Sequence, residues 1–271
     1  MLSRDRIAII GAGKIGEALI AGLLNANAIS RKQIIATTRR SERAVEVRRR
    51  YGVRASTKNC EAVAASNIVV LCVKPQAMLE VLQEIRTTIK PRHLVISVAA
   101  SVSTRYIERH LGGKIPVIRT MPNTPCQLRE GMTGICRGTL ALDKHLQKAK
   151  QIFDAIGRSQ ILEEKYLDAV TGLSASGPAF IYVVIESLAE AGVKVGLPRE
   201  TATELAAQTV LGAARMVLES HEHPAKLKDF VTTPAGCTID GLLELEEGGL
   251  RVTLIKAVVR ATARAHELLD T

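Results

Sequence analysis

Aromatic side chains are scarce in this sequence: 3% of residues, with four Tyr, three Phe and no Trp. That leaves few platforms on which nucleobases stack and argues against a nucleic-acid-binding protein, despite a net charge of +10. The five cysteines are odd in number and show neither CxxC nor any other metal-ligand spacing. They read as reduced thiols, and the expectation is a cytoplasmic protein with no metal. No uninterrupted apolar run approaches the roughly 20 residues that span a bilayer, and charges interrupt residues 1–6 where an export signal needs an apolar stretch. Membrane association and export are not expected. A clustered His, Asp and Ser constellation is also missing. His221 and His223 form an HxH pair, but no further His or nearby Cys completes a metal site.

What the sequence has is a strand, a glycine turn and a helix at residues 6–25. The apolar run Ile7 to Ile10 stops at Gly11-Ala12-Gly13-Lys14-Ile15-Gly16, after which Ile15, Leu19 and Leu23 recur at helical spacing. Gly11 suits the tight turn, Gly13 the approach of backbone N–H groups to a pyrophosphate, and Gly16 close packing of helix on strand. The helix N-terminus then faces the anion. About 20 residues beyond, where a site for NAD presents Asp or Glu to the ribose, the chain reads Thr37-Thr38-Arg39-Arg40-Ser41. An acid repels a 2′-phosphate, whereas hydroxyls and guanidinium groups bind it. NADPH is therefore the expected cofactor, with NADH as the alternative; a solvated turn is the bland reading of the two arginines.

Further alternation extends the pattern to a doubly wound sheet. Helices are expected near 42–51, 58–66, 77–89 and 103–111. Strands are expected near 53–55, 67–73, 93–98 and 115–120, the longer ones as continuous apolar runs that suit a parallel sheet covered on both faces. The fourth strand ends in Lys74-Pro75-Gln76 and the fifth in Ala99-Ala100-Ser101, at the sheet edge where open α/β folds bind ligands. Two prolines flank Asn123 in a rigid loop at the same edge, and that asparagine either orients a carboxamide or caps the turn. A strand near 132–136, a helix near 144–156 and a strand near 159–162 are expected to close a first domain at about residue 162.

Beyond that point the character is helical. The spacing predicts helices over 179–192, 199–220, 239–246 and 250–269, the first apolar almost all round. Such a helix needs more partners than a small bundle offers, which favours an interlocked dimer over a self-contained bundle. Between the helices, residues 227–241 carry hydroxyls, a proline and glycines ahead of a helix start. The backbone N–H groups and the Thr238 hydroxyl there either converge on a small anion such as a carboxylate or cap an ordinary helix.

These residues together resemble the pyrroline-5-carboxylate reductases. The resemblance runs through GAGKIG at 11–16, VKPQ at 73–76, SVAAS at 97–101, RTMPNTPCQLREG at 119–131, TGLSASGPAF at 171–180, VGLPRETA at 195–202 and HPAKLKDFVTTPAGCTIDGL at 223–242. It implies a Rossmann-like N-terminal domain with a mostly parallel sheet over 1–162 and an all-α dimerisation and substrate-binding domain over 163–271. It also implies a homodimer, possible assembly into a decamer, and NAD(P)H-dependent reduction of a cyclic imine, pyrroline-5-carboxylate, to L-proline. Carried over by position, Gly11, Ala12, Gly13, Lys14, Ile15 and Gly16 hold the pyrophosphate. Thr38, Arg39 and Arg40 lie toward the ribose phosphate, while Lys74, Pro75, Ala99, Ala100 and Asn123 lie toward the nicotinamide. The loop at Gly236, Cys237 and Thr238 receives the substrate carboxylate, with Thr238 bonding the ring nitrogen and acting as the catalytic residue, and Glu164 lies near the substrate. The chain departs from the family at Ala175, Ala235 and Phe230, where Gly, Gly and often Asn are usual. The rivals are a reductase of the same architecture acting on another imine or a hydroxy acid, and a non-catalytic NADP sensor.

Overall fold

The computed structural model describes residues 2–267. Eight strands and twelve α-helices alternate along the described residues. In chain order they are β1 (Ile7–Ile10), α1 (Lys14–Asn25), β2 (Ile34–Thr37), α2 (Ser41–Tyr51), β3 (Arg54–Ser56), α3 (Asn59–Ala64), β4 (Ile68–Leu71), α4 (Met78–Ile85), β5 (Leu94–Ser97), α5 (Thr104–Leu111), β6 (Val117–Pro122), β7 (Gly131–Arg137), α6 (Asp143–Phe153), β8 (Gly157–Ile161) and α7 (Leu167–Val170). The helices α8 (Gly177–Lys194), α9 (Arg199–Ser220), α10 (Pro224–Phe230), α11 (Cys237–Glu247) and α12 (Leu250–Glu267) follow.

The strands form one sheet in the order β3-β2-β1-β4-β5-β6-β7-β8, parallel throughout except where β7 runs antiparallel to β6. Residues of β1, β2, β4 and β5 are buried without alternation. The pleat explains how such runs serve two cores, because neighbouring side chains point to opposite faces. Ile7 and Ile9 join Leu19 and Leu23 of α1, Val47 of α2 and Phe153 of α6 on one face. Ala8 and Ile10 join Val63 of α3, Leu82 and Ile85 of α4 and Ile107 of α5 on the other. Each fully buried Ile or Leu contributes about 1.5–3 kcal/mol, so these two layers hold the sheet edge rigidly where the turns emerge.

The chain divides into two compact units, one running to Ser176 and resuming at Arg260, the other comprising Gly177–Val259. The division expected near residue 162 therefore falls within the first unit. Side chains beyond it are tied to the sheet: Val170 and Leu162 pack over Gly134 of β7, and Glu164 and Asp168 pair with the buried Arg119 of β6. Between α7 and α8 the helix widens to a π turn over Thr171–Ala175. The second unit is helical, and α8 and α9 approach closely: a Cβ on Gly192 would sit 2.8 Å from the Ala202 Cβ. The helix α10 was not expected from the sequence; Pro224 opens it and the His223 ring accepts from the Ala225 N–H at 3.2 Å. Expected helical positions 268 and 269 lie outside the described residues.

Candidate functional site

In the first unit the site forms where β1 turns into α1. Gly11 has φ +88°, and a Cβ there would press to 2.8 Å from Val73 Cγ1, so no other residue fits without displacing β4's continuation. A Cβ on Gly16 would lie 3.0 Å from the Gly11 carbonyl oxygen and 3.1 Å from Ile9 Cγ2, which is the close packing of helix on turn. Gly13 differs: nothing lies within 4 Å of its absent Cβ. It caps α1 with no side chain bonded to the first-turn N–H groups, so those donors face open space together with the positive end of the helix. Such an opening could hold a pyrophosphate.

The turn is anchored to β2. The Thr37 carbonyl oxygen accepts the Gly11 and Ala12 N–H groups at 3.1 and 2.7 Å. The Thr37 hydroxyl donates to Asn59 Oδ1 at 2.7 Å and is buried, so it braces the turn rather than facing a ligand. Thr38 is likewise mostly buried and donates to the Arg40 carbonyl oxygen at 2.8 Å, leaving Arg39 and Arg40 exposed beside it. A cleft of about 520 Å³ gathers Gly11, Thr38, Arg39 and Lys74 with Asn59 and Glu84. Of the residues read from sequence, Pro75 opens the short turn after Lys74, and Ala99 and Ala100 lie just past β5 at the same carboxyl edge. Asn59 and Glu84 were not legible, because they come from two helices and only the fold joins them.

The Asn123 side-chain amide is engaged within the fold. Its Oδ1 accepts the Met132 N–H at 2.8 Å and its Nδ2 donates to the Ser174 carbonyl oxygen at 3.1 Å, tying the β6–β7 turn to the π turn. Glu164 is similarly engaged. Its oxygens accept the Thr104 N–H at 2.8 Å and the Thr104 hydroxyl at 2.6 Å, holding the start of α5, and Oε1 lies 3.3 Å from the Arg119 guanidinium. Arg119 also meets Asp168 at 3.4 Å, and Asp168 meets His266 Nδ1 at 3.2 Å. Burial pushes the Cys72, Cys126 and Cys136 thiols up to about 12, 11 and 12, so they stay protonated and unreactive at neutral pH.

The second unit holds the hydroxyl-rich loop ahead of α11. Gly236 caps the helix with no side-chain bond to its first turn, and a Cβ there would strike Thr233 Oγ1 at 2.4 Å. Ala235 adopts φ +58°, a left-handed conformation that costs a residue with a Cβ roughly 1 kcal/mol. Cys237 opens α11 with an exposed side chain, and Thr238 follows, half-buried.

Comparison with known proteins adds the family. Residues 164–268 match the family described as pyrroline-5-carboxylate reductase dimerisation, and residues 6–101 match NADP oxidoreductase coenzyme F420-dependent. A pyrroline-5-carboxylate reductase of Methanosarcina acetivorans is 43% identical over 98% of this chain and 99% of its own. This chain belongs to the pyrroline-5-carboxylate reductase family. Among solved members of that family, the reductase of Coxiella burnetii has a TM-score of 0.93 at 36% identity, covering 98% of this chain and 99% of that one. The Plasmodium falciparum member, solved with NADP bound, has a TM-score of 0.88 at 30% identity with the same coverage. The reductase family thus spans both units, the glycine turn as well as the helices.

Proposed function

We propose that this chain reduces 1-pyrroline-5-carboxylate to L-proline at the expense of NAD(P)H, the last step of proline biosynthesis. The observation that carries the reading is 43% identity to a named reductase over 98% of this chain, together with a glycine turn whose open face is at Gly13. When bound, the reduced nicotinamide supplies a hydride to the imine carbon. The protein's part is to hold two reactants at the right separation and to keep the ring nitrogen protonated, because an iminium carbon accepts hydride more readily than a neutral imine. The Ala12–Gly16 backbone and the Gly13 opening hold the pyrophosphate. Lys74, Pro75, Ala99 and Ala100 lie along the nucleotide, with Asn123 shaping that edge through Met132 and Ser174.

In this reading the uncapped start of α11 at Gly236 and Cys237 takes the substrate carboxylate, and the Thr238 hydroxyl accepts from the protonated ring nitrogen. Glu164 has both oxygens engaged by Thr104 and Arg119, so its service to the substrate is to hold those groups rather than to touch the imine.

NADPH is the proposed preference, supported by Arg39 in the cleft, Arg40 beside it and the absence of an acid directly after β2. A homodimer through the helical unit is supported by the dimerisation match over 164–268 and by exposed Ile181, Tyr182, Val183, Leu205 and Ile255, while assembly into a decamer rests on the family resemblance alone. The helical stretch Glu164–Lys194 is long and apolar enough to cross a membrane by length and composition. Because it falls within the dimerisation match, we assign its apolar surface to a second copy of the chain. A cytoplasmic location fits free thiols at all five cysteines. We place the functional boundary at 162–163, just ahead of residue 164 where the dimerisation match begins, although the compact first unit extends to Ser176.

The test is oxidation of NADPH and NADH by purified protein with pyrroline-5-carboxylate. Turnover with that imine supports the reading, and cofactor binding without turnover would favour the sensor.

A further inference from the structure

A hydrogen-bond chain crosses three elements along the wall of the nucleotide cleft. Glu84, on α4, accepts from Asn59 Nδ2 at 2.7 Å; Asn59 Oδ1, on α3, accepts from the Thr37 hydroxyl at 2.7 Å; and Thr37 Oγ1, at the end of β2, lies 3.3 Å from the Gly11 N–H. The chemistry of the groups orders the chain. A carboxylate only accepts, so Glu84 turns the Asn59 NH2 toward itself and the amide oxygen toward Thr37. The Thr37 proton is then committed to Asn59, and the hydroxyl lone pairs are left to the Gly11 N–H. An exposed carboxylate contributes little as a charge, so its effect on the turn comes through the amide orientation that its hydrogen bond to Asn59 selects.

We propose that Glu84 is a positioning residue of the nucleotide cleft, acting through Asn59 and Thr37 on the Gly11 turn. This rests on the reading of that cleft as the nicotinamide dinucleotide site. Electrostatics alone gives the opposite expectation. Glu84 lines the same cleft as Arg39 and Lys74, so removing its charge should tighten binding of an anionic nucleotide. Positioning predicts weaker binding, and the sign separates the two.

The experiment is a fluorescence titration of NADPH, and separately NADH, into the intact protein and its Glu84→Ala, Asn59→Ala and doubly substituted forms. Glu84→Ala is expected to raise Kd about three- to tenfold for both nucleotides, since the turn is common to them, while kcat at saturating cofactor stays unchanged. In the Asn59→Ala background the same substitution is expected to change Kd less than about twofold, because the route through Asn59 is already cut. Tighter binding, unchanged binding, or an equal effect in both backgrounds overturns the inference while leaving the cofactor reading intact. Failure of the unsubstituted protein to bind either nucleotide overturns the cofactor reading and the inference with it. Should Asn59→Ala not fold, the sign of the change in Glu84→Ala alone decides.

Discussion

Thr238 is the side chain on which the substrate half of the account depends. Thr238→Ala removes one hydrogen bond to a charged ring nitrogen, worth ~1.5–3 kcal/mol, and kcat/KM for the imine should fall roughly tenfold to a hundredfold. Steady-state kinetics with unchanged cofactor KM check this, and undiminished kcat/KM would remove Thr238 from the mechanism. The glycines of the turn make a paired test. Gly13→Ala adds a methyl into open space, so the melting temperature should hold while cofactor KM rises roughly tenfold or more. Gly11→Ala instead meets Val73 and a φ of +88°, and should lower the melting temperature as well. Arg119 is nearly fully buried between Glu164 and Asp168. Arg119→Met leaves two carboxylates without their cation, and urea unfolding should show a loss of about 3 kcal/mol.

Elements differ in how far their residues announced them. The apolar runs of β1, β2, β4 and β5 are legible because strands buried on both faces cannot alternate, and the glycine turn is legible because each glycine answers a separate steric demand. Asn123 was ambiguous in sequence because one amide serves a ligand or a turn equally well; its partners Met132 and Ser174 come from elsewhere in the chain. Glu164, Arg119 and Asp168 could not be grouped from spacing, since β6 and α7 meet only after the sheet has formed. The same holds for His93, at the start of β5. Its ring is fully buried, Nδ1 accepts the Lys90 N–H at 2.7 Å, and Nε2 has no partner among the described residues. Burial lowers its pKa, with Arg92 adding to the effect, so the folded protein binds fewer protons here than the unfolded chain. Stability from the neutral ring is then complete above the unfolded value of about 6.5 and is lost as pH falls below it. Denaturant unfolding between about pH 7.5 and 5 should show this loss, and His93→Gln should flatten it; a slope that survives the substitution would assign it to other groups.

At the scale of the molecule, the helical unit exposes more apolar surface than a lone domain tolerates. Ile181, Tyr182 and Val183 on α8 and Ile255 and Val259 on α12 all lie open in the single chain. Val183→Asp should shift sedimentation from dimer toward monomer or precipitate, whereas an unchanged dimer would place the interface elsewhere. Of the departures, Ala175 falls in the π turn at the end of the first unit, while Phe230 ends α10 and Ala235 lies in the loop before α11 of the helical unit. The reaction itself is tested most directly by following nicotinamide absorbance with pyrroline-5-carboxylate and, beside it, a six-membered cyclic imine carrying the same carboxylate. Turnover should favour the five-membered ring and run faster with NADPH than with NADH. Cofactor binding without turnover of either imine would contradict that reaction.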